Sequence, residues 1–490
     1  MTRLPTAPSA NASATQRVTV AFVLIVTVYF LAQMALRMIL GGALETDEAE
    51  MLLMTPGLRW GYGPQLPLYN WLQTALFAVF GETLFALSLL KNLLLWLTYM
   101  FVFLGLRAFV PARIAALSAL SLFLIPDIAW EAQRATTHSN MLLATIAASI
   151  AAWLWALKTG HWRAWALLGL AMGLGGIAKY NFWAIPAGLF LASLTLPQSR
   201  RRVLTPQALI APLITVLIVA GPYLWMMNNP DLSLSSVGKI AIDQEADHLI
   251  PKGVSLYLEG LAILSILPAL VAVALRLASR TSSTRVETNW VVSLFLRSFL
   301  FLAVTGGIVV WLADVGHITP RWLLPVVLPL VIGAFLWLTP RLSHGATIGY
   351  LVTLGLFAAL VFTGLSMDRY KAGARRDLDF MPLVTQIEGM DLPQGTLIVA
   401  DFYIGGNLAR IRPDWTIHPD LPASAREEAA TDILLLGRLV TSDPELKQLA
   451  ATVGWPLAQQ AEYDKGEKIE LPFHHSDRML LLHMLRGTAN

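Results

Sequence analysis

The chain has 490 residues, 56% of them hydrophobic and 14% charged, with a net charge of +3 and no cysteine. A soluble chain carries about 25% charged residues to cover its surface, so lipid has to be the solvent for much of this one. The lack of cysteine excludes disulfides, thiolate chemistry and Cys-ligated metals, and the small basic excess reads as orientation signals in membrane loops, not as a nucleic-acid surface.

In chain order, residues 1–17 are a polar tail expected in the cytoplasm. The apolar run Val18–Leu40 follows Arg17 and is too long for the core of a signal peptide, so it is expected to remain as a first helix. Further spans are expected near 84–106, 114–127, 139–157, 164–178, 182–197, 207–227, 255–275, 295–312, 322–339 and 346–366. Several are short for a crossing of roughly 20 residues. About eleven crossings would place the two termini on opposite sides.

With the N-terminus inside, the inner loops hold Arg107, Arg113, Lys158, Arg163, Arg200, Arg201, Arg202, Arg276, Arg280, Arg285 and Arg341, the enrichment expected of cytoplasmic loops. Of the acids before residue 367, only Glu287 falls in an inner loop. Glu45, Asp47, Glu48, Glu50, Glu82, Asp127, Glu131, Asp231, Asp243, Glu245, Asp247, Glu259 and Asp314 all fall outside. Acids contribute little to orientation. Their gathering on one side therefore points to a carboxylate-lined site on the outer, periplasmic face, although longer outer loops would collect some of them anyway.

Residues 367–490 return to a polar composition, with short β-like runs at Thr396–Ala400, Asp432–Leu436 and Met479–Leu485. They read as a small α/β domain outside the membrane. Gly405–Gly406 after a strand has the look of a phosphate-binding turn, but a plain tight turn fits as well.

The first outer loop is the most informative segment. It runs Glu45-Thr-Asp-Glu-Ala-Glu50, then Arg59-Trp-Gly-Tyr-Gly-Pro-Gln-Leu-Pro-Leu-Tyr-Asn-Trp71. Four carboxylates within six residues repel one another, which suits a site that binds a cation or removes a proton from a hydroxyl. Asp47 is the candidate base, with Glu48 beside it; Asp47 equally fits the cap of the next helix, with Glu50 at its third position. Trp60, Tyr62, Tyr69 and Trp71 suit a helix lying in the headgroup region, or an ordinary aromatic belt.

Asp47-Glu48-Ala49-Glu50 with the Gly-Tyr-Gly-Pro-Gln-Leu-Pro-Leu-Tyr stretch resembles the first periplasmic loop of the dolichyl-phosphate-mannose-protein mannosyltransferase-like glycosyltransferases. These are the GT-C membrane enzymes that include the aminoarabinose transferases. Supporting matches are Pro126 to Asn140, Gly173 to Phe182 with its Ala-Lys-Tyr-Asn-Phe, and Thr319-Pro-Arg-Trp-Leu-Leu-Pro325, so the resemblance covers roughly residues 18–366. In relatives an Asp often follows the Thr of the second outer loop; His138 and Ser139 stand here instead.

The resemblance implies an inverting transfer of a sugar from a polyprenyl-phosphate donor to an acceptor at the outer leaflet. That acceptor would be lipid A, lipopolysaccharide or another glycan, with a protein acceptor, as in O-mannosyltransferases, as an alternative. Asp47, Glu48 and Glu131 become the catalytic candidates. Lys179, Arg321, Arg134 and His138 are candidates for the donor phosphate, since a lone cation at the interface is costly unless used. Lys179 and Arg321 could instead snorkel to ordinary headgroups, and Glu131–Arg134 could be a structural pair. His317 lies close to Arg321 in sequence. Tyr62, Gln65 and Tyr69 fall on the acceptor side. No cofactor is expected; Asp47, Glu48 and His138 leave a divalent cation open.

The expected fold is thus an all-α polytopic membrane bundle of GT-C type, with periplasmic interfacial helices. It divides into a tail at 1–17, a catalytic membrane domain at 18–366 and a periplasmic α/β domain at 367–490. Its expected place is the bacterial inner membrane. A flippase or transporter of lipid-linked sugars is the main rival, but it would place charges on broken helices within an internal repeat, and no repeat is visible between the halves.

Overall fold

The computed structural model describes residues 10–55, 57–234, 252–279, 289–313, 315–419, 431–438 and 467–489. Asp243, Glu245, Asp247, Arg280, Arg285, Glu287 and Asp314 lie outside the described residues, as does most of the N-terminal tail.

Apolar runs satisfy their backbone polar groups internally by forming helices, the form that lipid permits. α1 (Ala10–Leu40) is followed by two short helices, α2 (Thr46–Met54) and α3 (Leu68–Phe80), before α4 (Leu84–Leu106). α5 (Ala112–Leu120) runs through a 3₁₀ turn to Leu124, then a π-helical turn (Asp127–Glu131) and α6 (Ala132–Arg134). Next come α7 (His138–Thr159), α8 (Trp162–Gly176), α9 (Ala184–Thr195), α10 (Pro197–Val203), α11 (Ile210–Asn228) and α12 (Pro230–Ser233). α13 (Lys252–Ala278), α14 (Asn289–Leu312), α15 (Leu324–Leu338) and α16 (His344–Arg369) complete the helical bundle.

Among the described residues, eight helices are long and apolar enough to cross a membrane: α1, α4, α7, α11, α13, α14, α15 and α16. The α5–α6 segment, bent by 82°, would make nine if it counts as one span. α8 and α9, expected as crossings, have only 15 and 12 residues, or about 22 and 18 Å of helix at 1.5 Å per residue. The chain between them, at Lys179–Asn181, lines a polar cavity.

Packing of the central helices rests on small side chains. A Cβ on Gly105 of α4 would stand 2.7 Å from the Ala151 Cα of α7, the close approach that favours glycine at membrane helix interfaces. α7 is buried along most of its length, whereas α11 and α13 expose most of theirs, as lipid-facing helices do.

Beyond Arg369 a separate core forms. α17 (Met381–Glu388), β1 (Leu397–Ala400), α18 (Phe402–Ile411), β2 (Thr416–His418), β3 (Thr431–Arg438), β4 (Glu467–Phe473) and β5 (Ser476–Ala489) build a sheet of order β2-β1-β3-β5-β4. β1 is parallel to β2 and β3; β5 is antiparallel to β3 and β4. Leu383, Ile387, Ile404, Leu434 and Leu471 fill its interior. The three expected strands are present; β2 and β4 went unread.

Gly405 and Gly406 form neither a phosphate-binding turn nor a tight turn. They lie inside α18, where they let it press on α2: a Cβ on Gly406 would meet the Ala49 carbonyl oxygen at 2.3 Å. One residue on, the Asn407 side chain pairs with the backbone of Leu44, accepting from its N–H at 2.7 Å and donating to its carbonyl at 3.2 Å.

A buried polar contact at the start of α2 involves Glu48, 1% exposed. Its Oε1 accepts from Lys91 Nζ of α4 at 3.0 Å, and its Oε2 from Arg37 Nη2 of α1 at 2.8 Å and from the Glu45 N–H at 3.1 Å. Arg37 also donates to the Gly41 carbonyl at 2.6 Å, and Lys91 to the Gln133 carbonyl at 3.3 Å. The helix cap is therefore Glu45, with Glu48 closing the capping box, and not Asp47 as the sequence suggested.

Two substitutions test this framework. Glu48→Gln leaves two buried cations without their counter-charge and is expected to cost about 3–5 kcal/mol, read as a lowered midpoint of thermal unfolding in detergent. Gly406→Ala forces α18 off α2 at about 1–3 kcal/mol, read as faster proteolysis of the segment after Arg369; an unchanged digestion pattern would refute the tight docking.

Candidate active site

A helix places neighbouring residues roughly 100° apart around its axis and residues three apart on one face. On α2 this separates the acids. Glu48 turns inward to Arg37 and Lys91, whereas Asp47 and Glu50 line a cavity of about 1090 Å³. Glu45 and Thr46 complete the α2 contribution.

Asp47 is half-buried. Desolvation raises its carboxyl pKa above the usual aspartate range, and the positive charges of Arg321 and Lys179 pull against that rise. Glu45 is likewise raised by burial, with Arg376 as the main opposing charge, at 3.7 Å from Nε to Oε1. Glu48 goes the other way: burial alone would raise it, but Arg37 and Lys91 hold it well below the usual carboxylate range. Glu48 is therefore a fixed structural anion, saturated with donors and absent from the cavity wall. Its proposed catalytic part is corrected on that ground.

Two cations face these acids. Lys179 lies between α8 and the 3₁₀ turn that leads into α9, with Nζ 2.8 Å from Ser139 Oγ. Desolvation, reinforced by Arg321, lowers its pKa to about 8, against the pull of Asp47 and Glu50. Arg321 lies in the 3₁₀ turn Pro320–Leu323 before α15, and its neighbour Trp322 accepts from Asn181 Nδ2 at 2.9 Å through its carbonyl. Asn181 Oδ1, also on the cavity wall, has no hydrogen-bond partner among the described residues. His317 is exposed, with its ring 3.4 Å from Thr319 Oγ1, and does not line the cavity.

The second expected loop contributes Glu131, Arg134, His138 and Ser139 to the wall. Arg134 does pair with Glu131 at 3.0 Å, and also reaches Glu45 at 4.0 Å. His138 touches the cavity but is otherwise enclosed, with Nε2 3.0 Å from Asn70 Oδ1 and its ring against Tyr69. Gln65 lines the cavity and donates to Glu50 at 3.4 Å. Tyr62 and Tyr69, expected on the acceptor side, are 2% and 0% exposed and absent from the wall. The Tyr62 hydroxyl closes the loop by donating to the Gly57 carbonyl at 2.6 Å. Both are corrected to packing residues.

The far wall comes from Asp368 in the last turn of α16, from Lys371, Arg375 and Arg376 just beyond it, and from Phe402 at the start of α18. None was singled out in the sequence. The available signal was the run Arg369, Lys371, Arg375 and Arg376, four cations directly after an apolar span on the side otherwise rich in acids. Arg375 donates to Thr46 Oγ1 at 2.7 Å, and Arg376 donates to the Arg134 carbonyl, so this segment is fastened to both outer loops. Among the described residues no group of three or more His, Asp and Glu is placed to hold a metal ion.

Comparison with known proteins agrees with this architecture. A family model described as dolichyl-phosphate-mannose-protein mannosyltransferase matches residues 63–225. The lipopolysaccharide core galacturonosyltransferase RgtA of Rhizobium johnstonii is 29% identical over 432 residues, 85% of this chain and 86% of its own length. RgtB of the same organism, also a lipopolysaccharide core galacturonosyltransferase, is 31% identical over 317 residues, 62% of each chain. The crystal structure of ArnT from Cupriavidus metallidurans bound to undecaprenyl phosphate has the same fold, with a TM-score of 0.60 at 14% identity over 95% of this chain and 97% of that one. The apo form gives 0.61, also at 14% identity, over 96% and 98%. Family model, relatives and fold thus agree in one likeness: the chain is similar to membrane glycosyltransferases of the dolichyl-phosphate-mannose-protein mannosyltransferase type and shares the fold of ArnT.

Proposed function

We propose that this protein transfers a sugar, with inversion, from a polyprenyl-phosphate donor to a lipopolysaccharide-type acceptor on the periplasmic side of the bacterial inner membrane. The observation that carries the proposal is one cavity wall holding Asp47, with its raised pKa, together with Lys179 and Arg321. In this reading the carboxylate of Asp47 takes the proton of the acceptor hydroxyl. The acceptor oxygen bonds to the anomeric carbon as the bond from that carbon to the phosphate oxygen breaks. The electron pair leaves on the polyprenyl phosphate, whose charge Lys179 and Arg321 compensate. Glu131 and Arg134 act as a pair at the edge of the cavity, and His138 orients the floor.

Since the two curated relatives are named galacturonosyltransferases, the favoured donor sugar is galacturonic acid. Lys371 and Arg375 supply cations suited to its carboxylate. The arginine-rich inner loops would then face the cytoplasm, and the sheet after Arg369 would face the periplasm.

Asp47→Asn keeps size and shape but cannot accept the proton, so transfer should fall by about 10²–10⁴ in an assay with polyprenyl-phosphate galacturonic acid and membrane acceptor. Transfer that survives the change would remove Asp47 as the base. Lipid movement with no new glycosidic bond would favour a flippase. The pH profile of kcat/KM is expected to be bell-shaped. Activity is lost on the acid side as pH falls through the raised Asp47 pKa, and on the alkaline side as pH rises through about 8, where Lys179 loses its charge. Lys179→Ala should raise the donor KM and abolish the alkaline limb.

A further inference from the structure

A second concavity, of about 820 Å³, lies between α8, α9 and the start of α11. Its wall is almost wholly apolar, with Trp165, Leu168, Trp183, Phe190, Pro206 and Leu209 among its residues. Its lining reaches from Trp183, two residues from cavity-lining Asn181, to Val203–Leu209 before α11. α9 starts beside cavity-lining Asn181 and ends at Thr195, while α11 starts by the groove and ends shortly before cavity-lining Ser233 and Leu234.

Two independent features mark one end of the groove. Trp165, in the first turns of α8, is 2% exposed, and its indole Nε1–H is buried without a hydrogen-bond partner among the described residues. A donor left so in an apolar setting is costly unless an oxygen reaches it. The groove lining Val203–Thr205 also continues directly from Arg200, Arg201 and Arg202, three exposed residues that make no ion pair among the described residues. The Arg202 guanidinium lies over Gly160 at the end of α7, where a Cβ would come 2.2 Å from Nη1; Lys158 sits two residues before it.

We propose that this groove is a binding site for an anionic diacyl phospholipid of the bilayer. The acyl chains lie against Leu168, Phe190 and Leu209, an ester or phosphate oxygen accepts from Trp165 Nε1–H, and the headgroup rests on Arg200–Arg202. Basic pockets between helices at the membrane surface recognise anionic headgroups in this manner. The polyprenyl-phosphate donor is a poorer occupant of the Arg200–Arg202 end, because in the proposed reaction Lys179 and Arg321 hold its phosphate at the other.

The test uses the full chain, purified in a neutral detergent and stripped of lipid, with native mass spectrometry of added phosphatidylglycerol, phosphatidylcholine or undecaprenyl phosphate. Phosphatidylglycerol should be retained in preference to phosphatidylcholine, with affinity falling about fivefold for each arginine removed along the series to R200A/R201A/R202A. Trp165→Phe, which keeps the ring and loses only the N–H, should lower retention several-fold without changing the thermal unfolding of the lipid-free chain. Equal retention of both phospholipids, unchanged by the arginine substitutions, would mean ordinary annular lipid and overturn the proposal. Displacement of phosphatidylglycerol by undecaprenyl phosphate would overturn it too, assigning the groove to the donor's chain.

Discussion

The arrangement at the active end depends on one buried carboxylate. Glu48 joins the end of α1 through Arg37, the middle of the polar face through Lys91 on α4, and the start of α2 through the Glu45 N–H. Each charge alone would be expensive in such a place; together they are mutually compensated, and every partner comes from a different segment. Such a pair adds little net stability compared with apolar packing, but it tolerates only one placement of α2. Asp47 and Glu50 project from the same short helix, so their position on the cavity wall follows from where Glu48 is held.

A second clamp works from the other side. Asp377 accepts from Arg369 at the end of α16, and from the His475 backbone N–H at 2.9 Å. Arg369 also donates to the Leu40 carbonyl at the end of α1 at 3.3 Å. The sheet-bearing segment is therefore fixed to both the first and the last helix of the bundle, with Asn407 and Gly406 docking on α2 between them. This explains why Lys371, Arg375 and Arg376 can stand as a wall of the cavity rather than as a mobile linker.

Much of this was legible from the sequence, and the reasons for the rest are physical. Long apolar runs announced the eight long helices, because lipid demands them. The runs of α8 and α9 were equally apolar, yet a hydropathy pattern does not say where a helix ends against a polar cavity instead of a headgroup. In the loop Glu45–Glu50 the density of carboxylates pointed to chemistry. Which acid faces inward was not legible: Asp47 and Glu48 differ by one position, and only the cations on α1 and α4 decide it. Tyr62 and Tyr69 had the composition of an interfacial belt, but the loop folds back on itself and buries them. The basic wall lies about 320 residues along the chain from the acids it faces, a separation that no local pattern spans.

The two ends of the bundle use cations differently. At the active end Arg134 and Arg376 are engaged with Glu45 and Glu131, so their field is partly neutralised before any substrate arrives. Lys179 and Arg321 face Asp47 without an ion pair among the described contacts, which leaves their donors available. An anion that enters the cavity meets those two first, and its charge in turn raises the proton affinity of the nearby Asp47 carboxylate. In the proposed reaction, binding of a phosphate would thus strengthen Asp47 as a base at the moment a hydroxyl arrives, a coupling that needs both charges on one wall. At the opposite end Arg200–Arg202 make no ion pair among the described residues, and in the proposed groove site a lipid headgroup supplies their counter-charge.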